Sequence, residues 1–163
     1  MALTRFPKKY FTYLMRKKNT LFHLRTSLFS NLWTYFKLKS NKVIFGKEVR
    51  GNSFYIYNQG NILLGDNVYL HSYPNGSSIG TALNTYFPDA TIKVGKNSRL
   101  NGTVIHCNEK VVIGENCLFG PGTVIVDNDS HRVIKEYQER IKPPKSKPIK
   151  IGNNVWLGMN CIV

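Results

Sequence analysis

The run Val126-Asp127-Asn128-Asp129-Ser130-His131 sets two carboxylates at even offsets from an imidazole. In an extended chain, alternate residues share a side, so Asp127, Asp129 and His131 would face one way. A carboxylate beside an imidazole holds one ring nitrogen protonated and leaves the other to accept a proton. With a free pKa of ~6.5, such a histidine suits general-base work at neutral pH. His131 is therefore the first candidate for catalysis, with Asp129 as the residue that orients it. Trp156 and Asn101 are two further candidates, and their weight depends on where the fold puts them.

The elements that must position these residues come from a repeat of six. Five blocks begin with an aliphatic or aromatic residue followed by glycine: Phe45-Gly46, Leu64-Gly65, Val94-Gly95, Ile113-Gly114 and Ile151-Gly152. A small or β-branched residue usually stands fifth. Some blocks run on into a second hexad, as at Phe119-Gly120 and Leu157-Gly158. Hexapeptide periodicity of this kind marks an all-β chain wound as a parallel β-helix, three hexads to a coil. Positions one and five should point inward and stack on the coil below. Position two, at the turn, should hold glycine for its backbone freedom.

Spacing between blocks locates the interruptions. Phe45 to Leu64 and Val94 to Ile113 each span 19 residues, one coil plus one residue. Leu64 to Val94 is 30, which requires an insertion of about 12 residues, expected around Tyr73–Pro88 in a loop near 71–90. Ile113 to Ile151 is 38, which requires an excursion of about 20 residues near 127–147. Long loops on a regular scaffold are where function collects. His131 lies in the second.

The repeat gives the other two candidates their meaning. Trp156 is sixth in its hexad and should point outward, where a large aromatic side chain calls for a ligand or a partner to cover it. Asn101 is second in the Leu100 hexad and also faces out, as a turn residue or as a hydrogen-bonding group for a polyol. Cys117 and Cys161 fall at inward fifth positions and need no role beyond packing. The three cysteines have neither metal nor disulfide spacing, which fits a reducing, cytoplasmic setting. His23, His71 and His106 show no ligand spacing, so a metal-dependent solenoid is disfavoured and no metal is expected.

Residues 1–42 stand outside the repeat. They hold ten Lys and Arg and no acid, in a chain whose formal net charge is +14. Aromatic and leucine residues recur there at helical spacing, which predicts a basic amphipathic helical extension ahead of the solenoid at 43–163. That extension reads either as a cap on the first coil or as a contact with an anionic membrane surface, such as the inner membrane face. Nucleic acid is disfavoured as a partner, because charge alone supports it and no motif does.

Residues 94–163 resemble the hexapeptide-repeat O-acetyltransferases of the maltose, galactoside and nodulation-factor group and their capsule relatives. The resemblance rests on Val111-Val112-Ile113-Gly114-Glu115-Asn116, on Asp129-Ser130-His131, and on the run Lys147 to Gly158 that contains Asn153-Asn154-Val155-Trp156-Leu157-Gly158. It is looser over 43–93. It implies a left-handed parallel β-helix, a homotrimer with sites between subunits, and transfer of acetyl from acetyl-CoA to a sugar or polysaccharide hydroxyl. His131 would be the general base, Asn101 would contact the saccharide acceptor, and Trp156 and Gly158 would line the CoA site, Trp156 beside the pantetheine arm. Acetylation of an amino sugar nitrogen is the alternative reaction. Members of the group run two or more coils past the tryptophan, whereas this chain ends at Val163, mid-coil. A truncated product, and with it an inactive solenoid scaffold, is the remaining expectation.

Overall fold

A computed structural model describes residues 22–72, 80–130, 136 and 144–163, with the helix side chains described from residue 31 onward. Among the described residues, helix α1 (Phe22–Ser40) precedes fourteen short strands that wind as a parallel β-helix. The first sheet stacks β1 (Ile44–Phe45), β4 (Asn61–Leu64), β7 (Thr91–Val94), β10 (Lys110–Ile113) and β13 (Ile149–Ile151). The second stacks β2 (Arg50–Gly51), β5 (Tyr69–His71), β8 (Arg99–Asn101), β11 (Leu118–Phe119) and β14 (Trp156–Leu157). The third stacks β3 (Phe54–Asn58), β6 (Thr81–Thr85), β9 (Val104–Cys107) and β12 (Val124–Val126). All pairings between these strands are parallel, as the left-handed hexapeptide solenoid requires.

The register reproduces the sequence spacing residue for residue. Phe45 pairs with Leu64, Leu64 with Val94, Val94 with Ile113, and Ile113 with Ile151. These residues form the inward column of the first sheet, Leu70 and Leu100 stack in that of the second, and Ile105 and Ile125 in that of the third; all but Phe45 are buried. Each coil covers the apolar face of the one before, so burial accumulates along the axis. The first insertion differs from the expected single loop. Thr81–Thr85 is strand β6, in register with β3 and β9. The extra length is thus divided between the segment before β6 and the turn at 86–90.

The glycines have a different reason from the one expected of them. None of the position-two glycines has a positive φ. They are required by close approach instead. A Cβ on Gly95 would lie 2.5 Å from the backbone carbon and oxygen of Gly114 in the next coil. Left-handed backbone falls at position four, at Glu48, Asn67, Asn97, Asn116 and Asn154, with φ of 55–59°. Asparagine tolerates that conformation better than other non-glycine residues. Here it also builds a ladder: the Asn67 amide donates to Asn97 Oδ1 at 2.9 Å, and the Asn97 amide to Asn116 Oδ1 at 3.1 Å. Arg50 continues the column by donating to Asn67 Oδ1 at 2.9 Å.

The glycine argument can be checked within one column. Gly95→Ala should destabilise the chain by about 2–3 kcal/mol, because backbone cannot give way as a side chain tip can. A Cβ on Gly152 meets nothing within 4 Å, so Gly152→Ala should be near neutral. Equal shifts of the denaturation midpoint in the two variants would refute the close-approach explanation.

Helix α1 closes the first coil. Thr34 and Leu38 are fully buried against it. The Thr34 hydroxyl donates to the Gly51 carbonyl at 3.0 Å, and Lys37 Nζ donates to the Phe54 carbonyl. Trp33 meets Phe54 edge-on with centroids 5.2 Å apart. Lys37 and Lys39 sit in the last turn, where the helix dipole favours positive charge. Lys42 then takes a φ of 55° and the Val43 amide donates back to the Leu38 carbonyl, which turns the chain into β1.

Candidate functional site

Side chains that leave the second sheet outward form one face. In register order these are Arg50, Tyr69, Arg99, Leu118 and Trp156, with His71 and Asn101 paired one pleat along. Trp156 faces out as expected and is 46% exposed. It stands two strands from Arg99, roughly 10 Å at the usual strand spacing of about 4.8 Å. Asn101, half-buried, lies two residues beyond Arg99 on the same strand. The structure therefore brings Asn101 and Trp156 to one surface. Lys150 lies on β13 in the first sheet, and its exposed side chain belongs to a different face.

Sequence reading missed what lies next to Asn101 on the side away from Trp156, on β5 and β2. The Arg50 and Arg99 guanidinium carbons each stand 6.0 Å from the Tyr69 ring centroid. Tyr69 stacks on His71 with centroids 4.5 Å apart. His71 is buried although it faces outward, and burial, helped by the Arg99 charge, pushes its pKa down to about 4. At neutral pH it is an uncharged imidazole in register with Asn101. The repeated outward positions of β5 and β8 could have signalled this cationic and aromatic stripe, but each residue alone looked incidental. His106 faces out from the third sheet, where its Nδ1 lies 2.7 Å from the Tyr86 hydroxyl.

Asp127 corrects the expected alignment of the two acids with the histidine. Its side chain is 5% exposed and turned into the coil. One carboxylate oxygen accepts from the Asn108 amide at 2.8 Å, and the other from Glu109 at 2.8 Å and Lys110 at 2.9 Å. Burial alone would raise its pKa. The hydrogen bonds from Asn128, Asn108 and Glu109 outweigh that and hold the carboxyl below its ordinary value. Asp127 is thus a corner fastener for the coil below. The chain then turns rather than extending: the Ser130 amide donates to Asn128 Oδ1 at 2.8 Å, and Ser130 has a φ of 58°. Asp129 is exposed in that turn. His131 lies outside the described residues. The returning chain bridges Asn128 through Ser146, and the Lys147 amide donates to the Asp127 carbonyl at 2.8 Å.

The cysteines offer no nucleophile in the described structure at Cys107 or Cys117. Burial, then the Asp127 charge, pushes the Cys107 thiol up to about 12, and burial raises Cys117 as well. Both stay protonated at neutral pH, and a thiol is a poor nucleophile beside a thiolate. Among the described residues no group of three or more His, Cys, Asp or Glu could hold a metal ion.

A parallel solenoid of hexads with a polar and aromatic stripe along one outer face defines the class of fold and surface. The chain is 30% identical over 121 residues to a polysialic acid O-acetyltransferase of Neisseria meningitidis, an alignment covering 69% of this chain and 55% of that protein. The chain therefore spans about half the length of the curated relative it matches. No family model and no solved structure matches it. Fold and likeness together fit the hexapeptide-repeat acetyltransferases.

Proposed function

We propose that the protein transfers acetyl from acetyl-CoA to a hydroxyl of an acidic saccharide. The observation that carries this reading is the shared outer face of the second sheet, where Asn101 adjoins Arg99, Tyr69 and Arg50, and Trp156 stands two strands from Arg99 on the other side. Tyr69 offers a flat surface for a sugar ring, and the two arginines offer charge to a carboxylate. Asn101 contacts the acceptor hydroxyls, while Trp156 and Gly158 line the path of the CoA arm. The likeness to an enzyme named for polysialic acid, an anionic polymer, supports the same acceptor class.

His131 takes the proton from the acceptor hydroxyl as that oxygen attacks the thioester carbonyl, and Asp129 orients the imidazole. The tetrahedral intermediate collapses, the C–S bond breaks, and the imidazolium returns its proton to the CoA thiolate. Protonated, buried Cys107 and Cys117 favour this direct transfer over an acyl-cysteine route. The stripe and the excursion after β12 leave from different sheets. A homotrimer, in which neighbouring chains face one another, would join them in one cleft. Free cysteines suit a reducing, cytoplasmic setting, the side on which acetyl-CoA is available.

Thiol release from acetyl-CoA in the presence of acidic and neutral saccharides tests the reading. Release is expected with an acidic polymer and not with neutral glucans. No release with any saccharide overturns it. Trp156→Ala should raise KM for acetyl-CoA roughly tenfold and change kcat less, because the ring contributes ground-state binding. An unchanged KM would remove Trp156 from the CoA site.

A further inference from the structure

From residue 31 onward, helix α1 carries apolar side chains on both its inner and its outer face. Its inner face, Thr34 and Leu38, is buried on the solenoid. Its outer face presents Leu32, Trp33, Tyr35 and Phe36, which are 55%, 44%, 45% and 61% exposed. Trp33 and Tyr35 also meet first-coil rings, Phe54 at 5.2 Å and Phe45 at 5.7 Å, while Leu32 and Phe36, one turn apart, complete a concentrated exposed apolar patch with them. Lys37 holds its ammonium 4.5 Å from the Trp33 ring centroid, and Lys39 is exposed beside the patch.

Charge decides what covers this patch. Residues 1–42 carry ten basic side chains and no acidic one. A second copy of the same face would bring like charges together over the apolar contact, which costs free energy. A nucleic acid would meet the charge but leave leucine and phenylalanine against phosphate. An anionic bilayer satisfies both parts. Apolar side chains enter the headgroup boundary, tryptophan and tyrosine favour that depth, and each lysine or arginine near the surface adds attraction. Among the described residues no helix is long and apolar enough to cross a membrane, so the contact lies along the surface.

We infer that α1 docks the solenoid on an anionic lipid surface by its outer face while its inner face caps the first coil. The two readings of the extension are then two sides of one helix.

Flotation of the full chain with liposomes tests this independently of acetyl transfer. At low salt the protein should float with vesicles of phosphatidylcholine and phosphatidylglycerol, and far less with phosphatidylcholine alone. Leu32→Ser with Phe36→Ser should weaken the association roughly tenfold or more, since two apolar contacts are lost. Both side chains are exposed, so melting should stay at the parent temperature. Absence of flotation with anionic vesicles, or equal flotation of the double variant, overturns the inference. So does a lipid-free oligomer that the double variant dissolves, because the patch would then join copies of the chain.

Discussion

His131→Ala is expected to lower kcat for acetyl transfer by ~10²–10⁴-fold, the range that a positioned general base contributes. KM for acetyl-CoA should barely move, because in the proposed mechanism the imidazole would act on the acceptor hydroxyl while the CoA contacts would lie with Trp156 and Gly158. Rate against pH should rise as the imidazole loses its proton, and the variant should lack that limb. A parent-like rate in His131→Ala, with thiol release intact, would remove the histidine from the mechanism. Asp129→Asn separates orientation from proton transfer. An orienting carboxylate predicts a smaller loss with the KM values kept, and a shift of the pH limb toward lower pH as the imidazolium loses its neighbouring charge.

The coil geometry was legible because it depends on few side chains that recur. Leu64, Val94, Ile113 and Ile151 stack in register with Phe45, and all are large apolar residues at the same phase, so the spacing is visible in the sequence. Strand β6 was not legible. Thr81-Ala82-Leu83-Asn84-Thr85 begins no aliphatic-glycine block and follows a stretch rich in Pro, Gly and Ser. Its pairing with β3 and β9 comes from neighbours more than twenty residues away. Glycine was recognised in the right places for the wrong reason, since a close approach and a positive φ leave the same residue behind. The recurrence of asparagine at Asn67, Asn97, Asn116 and Asn154 was the signal that position four takes the left-handed conformation. At the site, outward Trp156 and Asn101 were readable from phase alone. The Arg50–Tyr69–Arg99 stripe was not, because its members come from three coils and meet only across the sheet.

Asp127→Asn should destabilise the protein by about 3 kcal/mol, and the cause is the number of donors that converge on one buried carboxylate. Both oxygens are acceptors here: Oδ1 takes the Asn108 amide and the Asn128 side-chain amide, and Oδ2 takes Glu109, Lys110 and the Cys107 thiol. Asparagine keeps one acceptor and turns an NH₂ group toward donors that already occupy that side. Buried amides then lose their partner without gaining water, which costs more than the bond itself contributed. The ionised carboxylate also predicts a pH signature. Its pKa in the folded chain lies below the unfolded ~3.9, so the folded state binds fewer protons through that range. The stabilisation is complete above the unfolded value and is lost as pH falls through the folded one. Acid unfolding of the parent should therefore steepen below about pH 4, and Asp127→Asn should flatten that part of the curve. Identical acid limbs in parent and variant would show that the carboxylate is not the fastener. The carboxylate also holds the start of the excursion through the Asn128 side chain, while the main-chain carbonyl of Asp127, which the substitution keeps, takes the Lys147 amide on the way back. Asp127→Asn should accordingly lower kcat as well as stability, since the turn bearing Asp129 and leading to His131 is anchored on it. If His131 is the base, an acid near it in sequence would act on the chemistry by fixing the backbone at the start of the excursion that carries it.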